Sequence, residues 1–392
     1  MTHPTPLAGI KVVEFTHMVM GPAVGAILAS LGAEVVRVEP IGGDRTRRLL
    51  GSGAGYFPMY NRHKASICLD LKNPDGIAVA RKLVDRADVV VENYRPGAMD
   101  RLGLGYEDLS RSNPRLIYCS EKGFLPGPYE NRTALDEVAQ MMGGLAYMTG
   151  PPGQPLRAGS SVIDVTGGMF GVIAILAAIE ERHRTGRGQK VQSSLFETTV
   201  YLIGQHMAQK AVTGQAASPM PARISAWAIY DVFETKDDPI FIGVVTDALW
   251  EKFCALFGLD DLWADESIRE NNARVLQRDR IMPRIRELIR GFTRDELVAR
   301  LEGSGLPFAP IGRPEDMFDD PHLNASGGLE PVTMPDGSTA HLPALPIEMA
   351  GGRPGAAATL PVPGADTRTI LGDLGLSEEE AEALIAGGAV GA

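Results

Sequence analysis

The chain has 392 residues, of which 44% are hydrophobic and 22% charged, and its formal net charge is -11 at pH 7. That length accommodates one large domain and a smaller one, and the composition excludes a disordered chain. The acidic balance argues against a general affinity for nucleic acid or an anionic membrane, so an anionic ligand requires a local basic pocket.

The opening stretch, "MTHPTPLAGIKVVEF", lacks the basic region and apolar run of a secretory signal. Its "GIKVVEF" is a β-branched strand signal, "GPAVGAILASLG" a small-residue helix closed by Gly32, and "AEVVRVE" a second strand. A third unit follows, with "ASICLDL" as strand, a helix from about Pro74 to Arg86, then "DVVVENY" and a turn at Pro96 and Gly97. Strands alternating with helices at this spacing predict a parallel sheet of Rossmann type, with ligands beyond the carboxyl ends of its strands. A dinucleotide site is disfavoured, because the first turn, "THMVMGPAVG", sets Met18, Val19 and Met20 where early glycines are needed. Glu39 does end the second strand, where a ribose-binding acid would lie.

From Ser160 the chain reads "SSVIDVTGGMFGVIAILAAIEERHRTGRGQKV", a long apolar helix with one carboxylate, Asp164, at its start. The run ends in "EERHR" before reaching about 18 uninterrupted apolar residues, so no membrane span is expected. A turn, a short strand and another helix follow, and "TGQAASPMPAR" marks a linker. Next, "WAIYDVFETKDDPIFIGVV" predicts a hairpin, and Ile285, Leu288 and Ile289 repeat at the spacing of a core-facing helix. From "LPFAPIGRPEDMFDDPHL" onward the chain is expected to be loop-rich until a last helix opened by a Ser377/Glu380 capping box. The three cysteines, Cys68, Cys119 and Cys254, form no CxxC pair and imply neither a disulfide framework nor a thiolate metal site. The resulting expectation is a reduced, soluble, cytoplasmic protein.

Asp164 has two readings. As an N-cap, its carboxylate would accept from the orphan N–H groups of the helix. The same helix terminus would keep the group ionised at neutral pH, and a positioned carboxylate attacks activated acyl groups. The small residues of "TGGM" would then let backbone N–H groups approach an oxyanion. Asp136, before another apolar helix, invites the same two readings. His17 ends the first strand, while Arg47, Lys72 and Arg101 fall in loops where phosphates would be met. No H-E-x-x-H, metal-spaced cluster or G-x-S-x-G elbow is present, which disfavours a metalloenzyme or a serine hydrolase.

Taken in order, "LAGIKVVEFTHMVMGPAVGAILASLGAEVVRVEPIGGDRTR", "ASICLDLKNPDG", "ADVVVENYRPGAMDRLGLGYEDL", "NPRLIYCSEKGF", "AAIEERHRTGRGQKVQSSLFE" and the tail "GADTRTILGDLGLSEEE" closely resemble the class III CoA-transferase, or CaiB/BaiF, family. That family includes formyl-CoA transferase, carnitine CoA-transferase and α-methylacyl-CoA racemase. The resemblance implies an α/β fold with a Rossmann-like large domain built from both chain ends, a smaller α+β middle domain, and an interlocked homodimer. The corresponding boundaries are 1–212 and 330–392 for the large domain, 213–224 for a linker, 225–312 for the small domain and 313–329 for the return.

By the same resemblance Asp164 is the nucleophile, passing through an aspartyl acyl anhydride and an aspartyl-CoA thioester. Coenzyme A would be met as substrate, with no tightly bound cofactor, by His17, Val19, Leu69, Leu71, Lys72, Asn93, Tyr94, Arg95, Arg101 and Asp136. Family racemases read "GHD" where this chain reads "ALD", and Leu135 removes one of the two acid/base groups that reaction needs. Formyl-CoA:oxalate enzymes carry a glycine-rich loop that is absent here and a tryptophan where Leu49 stands, and the family's "GEHT" reads "GADT". The expected function is CoA transfer, with succinyl-CoA as a candidate donor and a short dicarboxylate suited to Arg47 or Arg157 as acceptor. A 2-methylacyl-CoA racemase and a catalytically silent CoA-binding protein remain the alternatives.

Overall fold

The computed structural model describes residues 3–223, 225–355 and 358–391. Strand β1 (Lys11–Phe15), helix α1 (Met20–Ser30) and strand β2 (Glu34–Glu39) form the first βαβ unit, and β3 (Ala65–Leu69), α2 (Pro74–Asp85) and β4 (Val89–Glu92) continue the alternation. Strand β5 (Ile117–Lys122), the short α3 (Asp136–Met142), the 24-residue α4 (Val162–Thr185) and β6 (Lys190–Ser194) complete the first segment. The six strands are parallel and lie in the order β3, β2, β1, β4, β5, β6. This is the doubly wound arrangement, whose order reverses between β1 and β4.

Both faces of the sheet are covered, so its strands are apolar throughout instead of alternating with polar residues. Along β4, Val90 joins the core beneath α2, while Val89 and Val91 join the core beneath α1 and α4. Helix α4 lies close to α1 through glycines. A Cβ on Gly168 would stand 2.8 Å from the Met20 carbonyl oxygen, and one on Gly171 would stand 2.0 Å from Glu121 Oε1. By length and hydropathy α4 is also apolar enough to cross a membrane, a signal that the charged tail "EERHR" masks in the sequence. Its glycine face is packed inside this chain, whereas Met169, Ile173 and Leu176 on another face remain exposed.

Contacts divide the chain into two units, Met1–Pro221 with Pro321–Ala392, and Ala222–Asp320. In the second unit β7 (Ile229–Phe233) and β8 (Ile240–Val244) form the expected antiparallel hairpin, and β9 (Phe308–Pro310) adds to β8. Its core gathers Trp250 and Phe253 from α5 (Asp247–Phe257) with the fully buried Ile285 and Ile289 of α6 (Arg278–Arg290), while Leu288 packs at the edge. The expected small domain of 225–312 stops short of this unit. The Pro314–Phe318 turn, placed in the return linker by sequence, belongs to it. At the other boundary a helix occupies Gly204–Thr213, and residue 224 of the expected linker lies outside the described residues.

The stretch expected to be loop-rich contains a three-stranded sheet. Strand β10 (Leu329–Thr333) pairs antiparallel with β11 (Thr339–Pro343) and parallel with β12 (Ala358–Thr359). Pro331 interrupts β10, and a proline inside so short a run hides the strand from a pattern reading. Helices α7 (Thr367–Asp373) and α8 (Glu378–Ala386) follow, the latter with the expected Ser377/Glu380 capping box. Strand β13 (Val390–Gly391) then adds antiparallel to β3, a pairing too short to leave a sequence signal.

Replacing Gly168 by leucine would force α4 away from α1. Denaturant unfolding is expected to show a loss of about 1–3 kcal/mol, the usual cost of overpacking a close contact, with the denaturant dependence unchanged.

Candidate active site

The reversal in strand order leaves a crevice beyond the carboxyl ends of β1 and β4, and the expected CoA-binding positions flank it. The two loops are tied together: Asn93 accepts from the His17 N–H at 2.9 Å, and its amide donates back to the His17 carbonyl at 2.9 Å. The His17 ring stacks on Tyr94, with centroids 5.6 Å apart. Met18 has φ 62°, a left-handed conformation that costs a residue with a Cβ, and its N–H donates to Thr46 Oγ1 at 3.2 Å.

Buried ion pairs hold Thr46 in place. Arg37, fully buried within β2, pairs with Glu14 at 3.0 Å and with Asp44, and donates to Thr16 at 3.1 Å. Asp44 caps the following turn through the Thr46 N–H at 2.7 Å. Lys64 reaches Glu14 at 2.8 Å, and burial lowers its ammonium to about 8 despite that partner. The loop that shapes the crevice is thus built on charges that solvent does not reach.

This floor corrects one expectation. Arg47 is not available to a phosphate or a carboxylate: it donates to Glu39 at 2.8 Å and to the Pro361 carbonyl at 2.7 Å, and its guanidinium lies 3.8 Å from the Phe57 ring centre. The side chains of Val19 and Leu69 are buried in the fold, so only their backbones can face a ligand. Leu71 packs against the core at the end of β3, beside the exposed Lys72. Arg95 and Arg101 are exposed after β4, Arg101 closing the short helix Ala98–Arg101. Lys72, Arg95 and Arg101 therefore place exposed cations after β3 and β4.

Asp164 departs from the capping role. It is the third residue of α4, behind Val162 and Ile163, and the N-cap position is Ser161, whose side chain makes no capping bond. The cap comes from elsewhere in the chain. Asp136 Oδ2 accepts the Ile163 N–H at 2.9 Å and the Asp164 N–H at 3.1 Å, satisfying donors that α4 leaves open. Asp136, only 4% exposed, is itself held by the side-chain amide of Gln140. Gln140 in turn accepts the Ala158 N–H at 2.8 Å, pinning the loop that leads into α4. Asp136 is therefore occupied with backbone and amide groups, and its carboxylate does not face a ligand.

Freed from capping, the Asp164 side chain is partly buried, and its pKa is raised to about 7. Desolvation is the main cause, the charges of Asp136 and Glu137 add to it, and Arg157 opposes it. The expectation of a fully ionised carboxylate fails because loss of solvent and two like charges outweigh the helix terminus. Arg157, in the loop before α4, pairs with Glu137, lies 3.8 Å from Asp136 Oδ1 and donates to the Ala158 carbonyl at 3.0 Å. Tyr60 went unnoticed in the sequence; burial raises its phenol, and the charge of Asp164 adds to the shift. Its helix, Tyr56–Tyr60, carries no motif that would single it out. Leu135, where a racemase would carry histidine, is exposed and offers no proton donor.

The molecule thus joins a doubly wound sheet, whose strand order reverses between β1 and β4, to a desolvated aspartate at the head of a glycine-faced helix. The profile of CoA-transferase family III matches residues 7–367, and the chain belongs to that family. It is 33% identical to the succinate–glutarate CoA-transferase of Agrobacterium fabrum, over 88% of this chain and 89% of that one. It is 35% identical to the acetyl-CoA:oxalate CoA-transferase of Acetobacter aceti, over 78% and 80% of the two chains. Among solved structures, a CaiB/BaiF family protein from Brucella suis superposes with TM-score 0.83 at 34% identity, covering 95% of this chain and all of that one. The protein is a CoA-transferase of this family.

The raised pKa of Asp164 ties its proton to folding. A proton held more tightly in the folded state stabilises the fold at low pH, and that contribution is lost as pH rises through about 7. Wild type is accordingly expected to lose melting temperature relative to Asp164→Asn between pH 4 and pH 7, with the gap constant above, as read by thermal denaturation across pH.

Proposed function

We propose that the protein moves coenzyme A from an acyl-CoA thioester to a small carboxylic acid, with Asp164 as the nucleophile. The observation that carries this reading is a partly buried carboxylate, released from capping by Asp136 and titrating at about 7, so that a large fraction is ionised near neutral pH. Its raised basicity makes it a better nucleophile than an ordinary aspartate.

The ionised Asp164 attacks the thioester carbonyl, the C–S bond breaks, and CoA leaves as thiolate with the bonding pair. The thiolate then attacks the aspartyl carbonyl of the mixed anhydride, releasing the donor acid as a carboxylate and leaving an aspartyl-CoA thioester. An acceptor carboxylate expels CoA from that thioester to form a second anhydride. Thiolate attack on the acceptor's acyl carbon gives the new acyl-CoA and regenerates Asp164. Each step exchanges one acyl bond for another, so no external energy source is required.

His17, Asn93 and Tyr94 shape the CoA crevice, the backbones of Val19, Leu69 and Leu71 border it, and Lys72, Arg95 and Arg101 meet its phosphates. Basic side chains on mobile stems suit a ligand that must bind and leave in each cycle. Relatives named for succinate, glutarate and oxalate support small acids as the exchanged groups and succinyl-CoA as a donor. We also infer an interlocked homodimer in the cytoplasm, for which the exposed Met169, Ile173 and Leu176 on α4 supply an apolar face.

Intact-mass analysis after brief mixing with succinyl-CoA, followed by hydroxylamine, tests the nucleophile. An adduct at Asp164 is expected. Asp164→Ala should lose the adduct and lower exchange by about a thousandfold or more, while CoA still raises the melting temperature. An adduct that persists in the variant would sink the assignment.

A further inference from the structure

An apolar groove runs between α1 and α4. Ala23, Ala26 and Ile27 share one face of α1, and Val165, Met169 and Ile173 share one face of α4, at the three- and four-residue spacing that stacks side chains along a helix. The buried, short alanines recess its bottom, while Met169 and Ile173 stand half exposed at its edge. A third wall is the segment 343–347, with prolines at 343 and 346. It is fixed from outside by Arg62, which donates to the Pro343 carbonyl at 2.5 Å and to the Met59 carbonyl at 3.1 Å.

The space measures about 440 Å³, within the range of small-molecule sites. From Val165 to Leu176 it follows α4 for about 16 Å at the rise of a helix. Its chemistry is as narrow as its shape. Ser30 Oγ is committed to the Ala26 carbonyl at 2.9 Å, and Arg62 to its two carbonyls and to Glu330. Among the polar side chains of the lining, only the Tyr60 hydroxyl has no hydrogen-bond partner among the described residues. A charged group buried here would find no uncommitted cation, and burying it unpaired is costly. A hydrocarbon chain, by contrast, gains from covering apolar walls that are otherwise left to water.

We propose that this groove binds the hydrocarbon chain of a medium-length fatty acyl group, as the free acid or as its CoA thioester, with the chain along α4 and the carbonyl end at Tyr60. The inference goes beyond the acyl-transfer reading and stands apart from it, since Asp164 is not among the lining residues. A second copy laid over Met169, Ile173 and Leu176 would close the open side of the groove above the chain.

Calorimetric titration of the wild-type protein with hexanoate, octanoate and decanoate is expected to show binding that tightens about two- to fourfold for each added methylene. A flat series, or no binding, overturns the proposal. Decanoate carrying a diazirine at its chain end, photolysed on the wild-type protein, is expected to label lining residues of α1 or α4 in peptide mapping. A label confined to other segments overturns it. Ile173→Trp fills the groove from its exposed edge and should weaken decanoate about tenfold or more; unchanged affinity counts against the site. Light scattering on that variant identifies the rival occupant. A changed mass, together with an unlabelled groove in wild type, makes this face a contact between copies and overturns the proposal. Decanoyl-CoA decides the source of the chain: displacement of decanoate at lower concentration than CoA alone requires shows that it arrives as thioester, and no displacement assigns the groove to the free acid. Both results keep the site. None of these readouts involves an adduct at Asp164, so this proposal and the acyl-transfer reading fail separately.

Discussion

The carboxylate of Asp136 sustains the geometry of the site. It is almost wholly buried, and a buried charge without partners is costly. Its partners are the first free N–H groups of α4, the Gln140 amide and, at longer range, Arg157. Because Asp136 takes the capping bonds, the side chain of Asp164, the third residue of the helix, is not used as its cap. The same negative charge, a short distance away, then raises the pKa of the carboxylate it has released. The freedom of the Asp164 side chain thus follows from Asp136, and its basicity from burial first and from that neighbouring charge second.

The second half of the site obeys a similar logic on a larger scale. Glu14, Glu39 and Asp44 face Arg37, Arg47 and Lys64 beneath the β1 loop, three acids with three bases. Such a cluster contributes little to stability by itself, since desolvation offsets much of the attraction. Its effect is specificity of shape. Thr46 is held where it accepts the Met18 N–H, and the strained turn at Met18 lets the chain enter α1 beside Asn93. Cations committed to this floor are unavailable to ligands, whereas Lys72, Arg95 and Arg101 stay exposed to solvent.

Helix α4 connects the two halves. Its glycines allow contact with α1 at Met20, the first residue after the crevice loop, so the helix that bears Asp164 and the loop after β1 share one packing surface. The face bearing Met169, Ile173 and Leu176 borders an apolar cavity shared with Ile27, Leu345 and Ile347 and remains partly exposed. An apolar stripe on a long helix invites a further protein surface.

Much of this was legible in the sequence because it depends on neighbours along the chain. The β-branched runs, the Gly32 stop, the period of Ile285 and Ile289, the Ser377/Glu380 box and the placement of Asp164 at a helix start are local patterns, and the order of the motifs marked the family. The strands around Pro331 and at Val390 escaped because a proline hid one and brevity hid the other. What the sequence by itself determined is which elements form and which residues stand at the mouths of strands and helices. Tertiary structure alone decided that Asp136 and not Asp164 caps α4, that Arg47 is buried in the floor while Arg157 faces solvent, and that Asp164 titrates near neutrality. The physical reason is that hydrogen-bond ownership, burial and charge proximity are set by groups tens of residues apart in sequence, which come together only when the chain folds.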